Sequence, residues 1–186
     1  MNAFLIWLES TPLHNWIVES PSLLAFPGIL ALHAIGMGFA AGLGAAIDLR
    51  ILGIAPGIPL REMRRLLPIL WTGFWLNAAS GVLLLIGYPT KALTNPVFYL
   101  KLGLIAIAMV LVARIGRRLE SDDDGGPDKA RPTTATLRRM AMVSLACWAG
   151  AVTSGRLLAY TYRHLFATEN ISALLHPGRL WSGGLW

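Results

Sequence analysis

Residues 102–113 read LGLIAIAMVLVA, twelve positions without a polar side chain. A helix on the surface of a soluble bundle keeps a polar stripe toward water, and this segment has none. It belongs to one of four apolar stretches, at about 23–49, 66–88, 97–113 and 140–160. The hydrocarbon core of a bilayer is about 30 Å thick and takes roughly 20 apolar helical residues to cross. The third stretch is at the short end of that range. Lipid offers the backbone no hydrogen-bond partners, so each stretch must be a helix that closes its own bonds. The expected fold is all-α: an integral membrane four-helix up-and-down bundle spanning about 23–161, with antiparallel neighbours set by short connections.

Composition agrees. Charged residues make up 14% of the 186 positions and hydrophobic ones 55%, against about 25% charged in an average soluble domain. The single cysteine, Cys147, excludes an internal disulfide framework and any cysteine-based zinc site. Pro56-Gly57, Pro59, Tyr88-Pro89, Asn95-Pro96, Gly125-Gly126-Pro127 and Arg131-Pro132 break the chain between the spans. Residues 121–135, with the acidic run Asp122-Asp123-Asp124, read as a solvated loop.

The net charge of +6 is an orientation signal. Eleven of the 16 Lys and Arg residues lie in the first and third connections: Arg50, Arg61, Arg64, Arg65, Arg114, Arg117, Arg118, Lys129, Arg131, Arg138 and Arg139. The positive-inside rule places those connections in the cytoplasm, where they meet anionic headgroups. Both termini and the loop at 89–96 then lie outside, in the periplasm if the membrane is a bacterial inner membrane. Nucleic-acid binding is not the use of these charges.

Residues 1–22 carry no Lys or Arg and so lack the n-region of a secretory signal. They read as one or two short amphipathic helices in the membrane interface. Thr11-Pro12 marks a helix start, with Thr as N-cap and Pro at the first position. Leu5, Trp7, Leu13, Trp16 and Ile17 are expected to face lipid. Residues 162–186 form an outer tail ending in Trp181 and Trp186. Both tails have a second reading as docking surfaces for a partner subunit.

Ionisable side chains inside spans are costly and mark candidate sites. His33 lies about ten residues, roughly 15 Å, into the first span. It suits a haem or copper ligand, a quinone contact or a proton carrier; the plainer reading is a hydrogen bond to Asn77, Ser80 or a backbone carbonyl. Lys101 and Arg156 fall at a similar depth. With His33 they would hold an anionic headgroup, a quinone or haem propionates, or else snorkel to the surface. Asn77 and Trp75 join them as candidate cofactor contacts. His164, one turn past Tyr160, is the best-placed second metal ligand beside His33; His14 and His176 are more remote. Gly36, Ala40 and Gly44 form a small-residue stripe for close packing, with Gly38 and Gly42 beside it. Asp48 is expected to pair with Arg138 or Arg139. Trp71 reads as an interfacial anchor, Trp148 as core or cofactor packing, and Cys147 as an inert small hydrophobe. No metalloprotease helix, P-loop, dinucleotide turn or nucleophile elbow is present.

The run Leu32-His33-Ala34-Ile35-Gly36, followed by Asp48-Leu49-Arg50-Ile51-Leu52-Gly53, resembles a signature of a family of small, functionally uncharacterised four-helix bacterial membrane proteins. Trp71-Thr72-Gly73-Phe74 with Ser80-Gly81, Asn95-Pro96 with Lys101, and Gly155-Arg156-Leu157 with Tyr160 extend the likeness over nearly the whole chain. It implies a topology more than an activity. More distantly, the plan is similar to copper-resistance D and b-type cytochrome membrane proteins, which implies a haem b or copper role. Such cytochromes hold haem between histidines on different helices, whereas only His33 lies within a span here. The leading expectation is a non-catalytic subunit of an electron-transfer or metal-handling system centred on His33. A small copper or solute transporter is the second, and an anchoring or assembly protein with no cofactor the third. Membrane lipids, a partner subunit and a second copy of the chain are the expected partners.

Overall fold

The structure, a computed structural model, describes residues 2–123 and 135–175. Regular structure among them is entirely helical: α1 (Asn2–Glu9), α2 (Pro12–Glu19), α3 (Phe26–Leu52), a 3-10 helix (Leu60–Leu66), α4 (Leu67–Gly87), α5 (Pro89–Leu93), α6 (Pro96–Asp123) and α7 (Ala135–Leu175). Four stretches are long and apolar enough to cross a membrane: Phe26–Leu52, Leu60–Gly87, Pro96–Leu119 and Ala135–Leu158. Their outward faces carry Phe39, Ile69, Val82, Leu102, Ile107, Val110, Met142 and Val152, all exposed. An apolar surface of that extent belongs in lipid. The expected membrane bundle is therefore the observed one.

The boundaries shift for local reasons. α3 begins three residues later than expected. Ser20 and Ser22 turn the chain ahead of it, each hydroxyl accepting a backbone N–H two residues on, and Pro27 sits in its first turn. α3 ends at Gly53, whose left-handed φ of 104° lets its N–H return to Arg50 and Leu49 carbonyls. α6 and α7 run far past their apolar windows. Arg114, Arg117 and Arg118 are helical, as are residues 121–123, which sequence placed in a loop. The backbone of α7 continues to Leu175, so the expected tail begins as helix. The remaining loop residues 124–134 and the final residues 176–186, with His176, Trp181 and Trp186, lie outside the described residues.

α3 packs against α4 and α7, and α7 against α6. α4 and α6, consecutive spans joined through α5, meet at most marginally. The rule that short connections make neighbours thus holds for α3–α4 and α6–α7 and fails for α4–α6, while α7 packs against α3. Small residues allow both close seams. A Cβ on Gly36 would lie 2.6 Å from the Asn77 backbone N and 2.8 Å from the Gly73 carbonyl. On the other side of α3, a Cβ on Gly44 would lie 2.5 Å from Trp148 Nε1. Gly38 and Gly42 face open space and serve neither seam.

The main core lies toward the end that carries the 3-10 helix, here the basic end. It includes Ile47, Ile51, Leu70, Val112, Ile115 and Trp148. Cys147 is buried beside it, as expected of a small hydrophobe. Arg50 fastens the connection after α3 by donating to the carbonyls of Ile58 and Pro56.

The opposite end is closed by α1 and α2. Thr11 caps α2 by accepting from the His14 N–H at 3.3 Å, so the predicted helix start is observed. The predicted lipid face is only half right. Trp7, Leu13 and Trp16 are exposed, but Leu5 and Ile17 are buried. Ile17 packs on Gly87 at the end of α4, and His14 Nδ1 donates to the Ile86 carbonyl at 3.0 Å. That carbonyl is one of those a helix C-terminus leaves without an internal partner. On α5, Thr90 Oγ1 donates to Glu9 of α1 at 2.9 Å.

Candidate functional site

The α3–α4 seam positions the polar residues of the other half of the bundle. The glycine contact brings the helices close enough for side chain to reach backbone. Asn77 Nδ2 donates to the His33 carbonyl at 2.8 Å. His33 Nδ1 lies 3.0 Å from the Asn77 carbonyl and 3.2 Å from Ser80 Oγ. The Ser80 hydroxyl spends its own proton on the Leu76 carbonyl at 2.6 Å. The two closest neighbours of Nδ1 are therefore acceptors, and the Asn77 amide nitrogen, 3.3 Å away, already donates to the His33 carbonyl, which assigns the ring proton to Nδ1. Nε2 is left as an acceptor, and Lys101 Nζ, from α6, stands 3.3 Å from it. Gly81 faces the imidazole edge, where a Cβ would lie 3.2 Å from His33 Cε1.

Lys101 crosses from α6 with its stem along α7, where a Cβ on Gly155 would touch its Cε and Nζ at 3.8 Å. The sequence-predicted residues thus separate into two sets. His33, Asn77 and Lys101 come together, with Ser80 as a fourth member. Trp75 points out of the bundle, 64% exposed, with its ring against Phe74. Arg156 is exposed on α7. Neither touches His33. His164 lies in the backbone of α7, and its side chain is outside the described residues.

Each ring nitrogen of His33 has a partner within the protein. Among the described residues no group of three or more His, Cys, Asp or Glu converges as a metal site, and His14 is committed to the end of α4. The donor set described does not fit a haem held between two histidines. It does fit an oxygen-bearing ligand. An ammonium carries three N–H donors, and His33 accepts one of them. The site offers the remaining donors at the edge of a half-buried hydrogen-bonded network.

A second polar cluster, on the α3–α7 seam, escaped the sequence reading. Asp48 is fully buried and forms no ion pair among the described residues; Arg138 and Arg139 are exposed. The expected salt link is not made, because Asp48 faces the interior of the seam while those arginines face outward. Ser144 of α7 is close enough to act on it. Asp48, Ser144 and Trp148 Nε1 are all buried and form no well-made hydrogen bond among the described residues. The signal was available as matched spacing: Gly44 and Asp48 are four apart on α3, Ser144 and Trp148 four apart on α7.

Fold and site together define the class: an all-helical, multi-pass membrane protein with a half-buried histidine–lysine pair between its helices. No family model, curated protein or solved structure matches the chain.

Proposed function

We propose that this protein is a non-catalytic membrane subunit of an electron-transfer system, and that Lys101, positioned by His33, holds the carbonyl oxygen of a lipid-soluble quinone. The observation that carries this reading is the 3.3 Å approach of Lys101 Nζ to His33 Nε2 from a different helix. A lysine at that depth is costly unless it is paired, and it forms no ion pair among the described residues. A neutral carbonyl acceptor satisfies its remaining N–H groups and brings an apolar ring suited to the surrounding helices. The metal-handling alternative has less support, since a metal would have to displace a partner from each nitrogen it used.

The reading places the protein in a bacterial inner membrane with its basic end in the cytoplasm, as the positive-inside rule directs. The α1–α2 end then faces the periplasm. Trp7 and Trp16 lie exposed there, suited to headgroups or to a partner subunit. The resemblance to the small four-helix bacterial family accords with this placement.

The test is extraction in mild detergent, followed by quinone analysis, an absorption spectrum and metal analysis. A quinone that co-purifies with the wild type and is lost in both His33→Ala and Lys101→Met supports the proposal. A Soret band, copper at one per chain, or absence of quinone overturns it.

A further inference from the structure

The gap between α4 and α6 is not uniform. At the basic end Leu67 packs on Gly116, and the 3-10 helix lies against α6. Beside this bridge is a groove of about 960 Å³, at the upper end of the size range for small-molecule sites. Its two halves differ in chemistry. The rim carries Arg61, Arg64, Arg65 and Arg117, with Glu62 as the one acidic residue. The floor is apolar, formed by Leu67, Trp71, Val112 and Gly116 among others.

Glu62 lies 3.0 Å from Arg65 and 3.8 Å from Arg61. It ties Arg61 and Arg65 together, and among the described lining residues four arginines stand against this one carboxylate. Arg61 and Arg65 keep 68% and 81% of their side-chain surface exposed. Guanidinium groups match phosphate oxygens in pairs. The floor leads from that rim along α4 and α6 into the stretches that cross the membrane. A soluble anion would use the rim and leave the floor bare. A nucleic acid or acidic peptide would need a basic surface facing water, not a slot that opens into hydrocarbon.

We infer that this groove is a binding site for one anionic diacyl phospholipid, its phosphate on the four arginines and an acyl chain on the Trp71 floor. The inference is independent of the His33 site. It assigns the non-packing of α4 and α6 a purpose: the lipid fills the seam that the helices leave open. Basic pockets between membrane helices on the cytoplasmic side recognise anionic headgroups in this manner.

The experiment is native mass spectrometry of the full chain with added phosphatidylglycerol, phosphatidylcholine or inorganic phosphate. The wild type is expected to retain one phosphatidylglycerol per chain, at least tenfold better than phosphatidylcholine. Each cation near a lipid surface contributes about 1 kcal/mol, so losing two weakens retention roughly thirtyfold. Arg61→Gln with Arg65→Gln is expected to show that loss. Arg138→Gln with Arg139→Gln removes the same charge from exposed positions of α7 and is expected to leave retention unchanged. Equal loss in the two double variants would reduce the effect to diffuse surface charge and overturn the site. Equal retention of the two lipids, or displacement by millimolar phosphate, would overturn it as well. The lipid comparison uses the unmutated protein, so poor folding of a variant does not blunt the test.

Discussion

At Asp48 both carboxylate oxygens are buried and form no well-made hydrogen bond among the described residues, with the Ser144 hydroxyl close by. Burying a polar group without a partner costs about 1–3 kcal/mol, and more for a charged one. An amide of the same shape removes the charge and gains a donor beside the Ser144 hydroxyl. Asp48→Asn is therefore expected to match or exceed the wild type in a detergent thermal melt. A clear loss of stability would show instead that the carboxylate serves a bound cation. Size matters as sharply as charge on the same helix. Gly36→Ala would press a methyl against the backbone of α4, an overpacking that costs about 1–3 kcal/mol. Gly38→Ala faces open space and is expected to change the melt by less than about 0.5 kcal/mol. The two substitutions are chemically identical and two residues apart, so their difference reads the seam directly.

Helix α2 shows which features of an element are local. Its start was legible because a Thr-Pro cap is set by neighbouring residues. Its docking face was not, because Leu13, Trp16 and Ile17 are all apolar, and only the position of Gly87 decides that Ile17 turns inward. The ends of α6 and α7 were missed for a related reason. An apolar window measures the part of a helix inside lipid, and a charged helix can continue beyond it. Ile17→Ala is expected to cost about 2–4 kcal/mol, as a large-to-small change at a buried site, in the same melt. Trp16→Ala, on the exposed side of the helix, is expected to leave the melt nearly unchanged. Comparable losses from both would mean that α2 does not dock on α4 as described.

For the molecule as a whole, the number of spans and the depth of each polar residue were legible, since both follow from counting along the chain. His33, Asn77 and Lys101 came together because depth alone brings them to one level. Trp75 and Arg156 share that kind of signal and stay away, because the rotation of a helix about its axis is set by its packed seams. Orientation is the remaining global property, and it rests on the charge asymmetry. Ser10 lies between α1 and α2, and Gly57 in the connection after α3; both are exposed. α3 separates them, so they must lie on opposite sides if it crosses the membrane. Cys147, the one native cysteine, is buried, which keeps the background of a thiol-labelling experiment low. In intact bacterial cells, a membrane-impermeant maleimide is expected to label the Ser10→Cys variant. The Gly57→Cys variant should react only after permeabilisation. The reverse pattern would invert the orientation, and labelling of both from one side would remove α3 from the spans. The same assay on Arg61→Gln with Arg65→Gln should give the unchanged pattern. Arg114, Arg117, Arg118, Arg138 and Arg139 still mark the same end, and orientation follows the summed bias of the flanking cations.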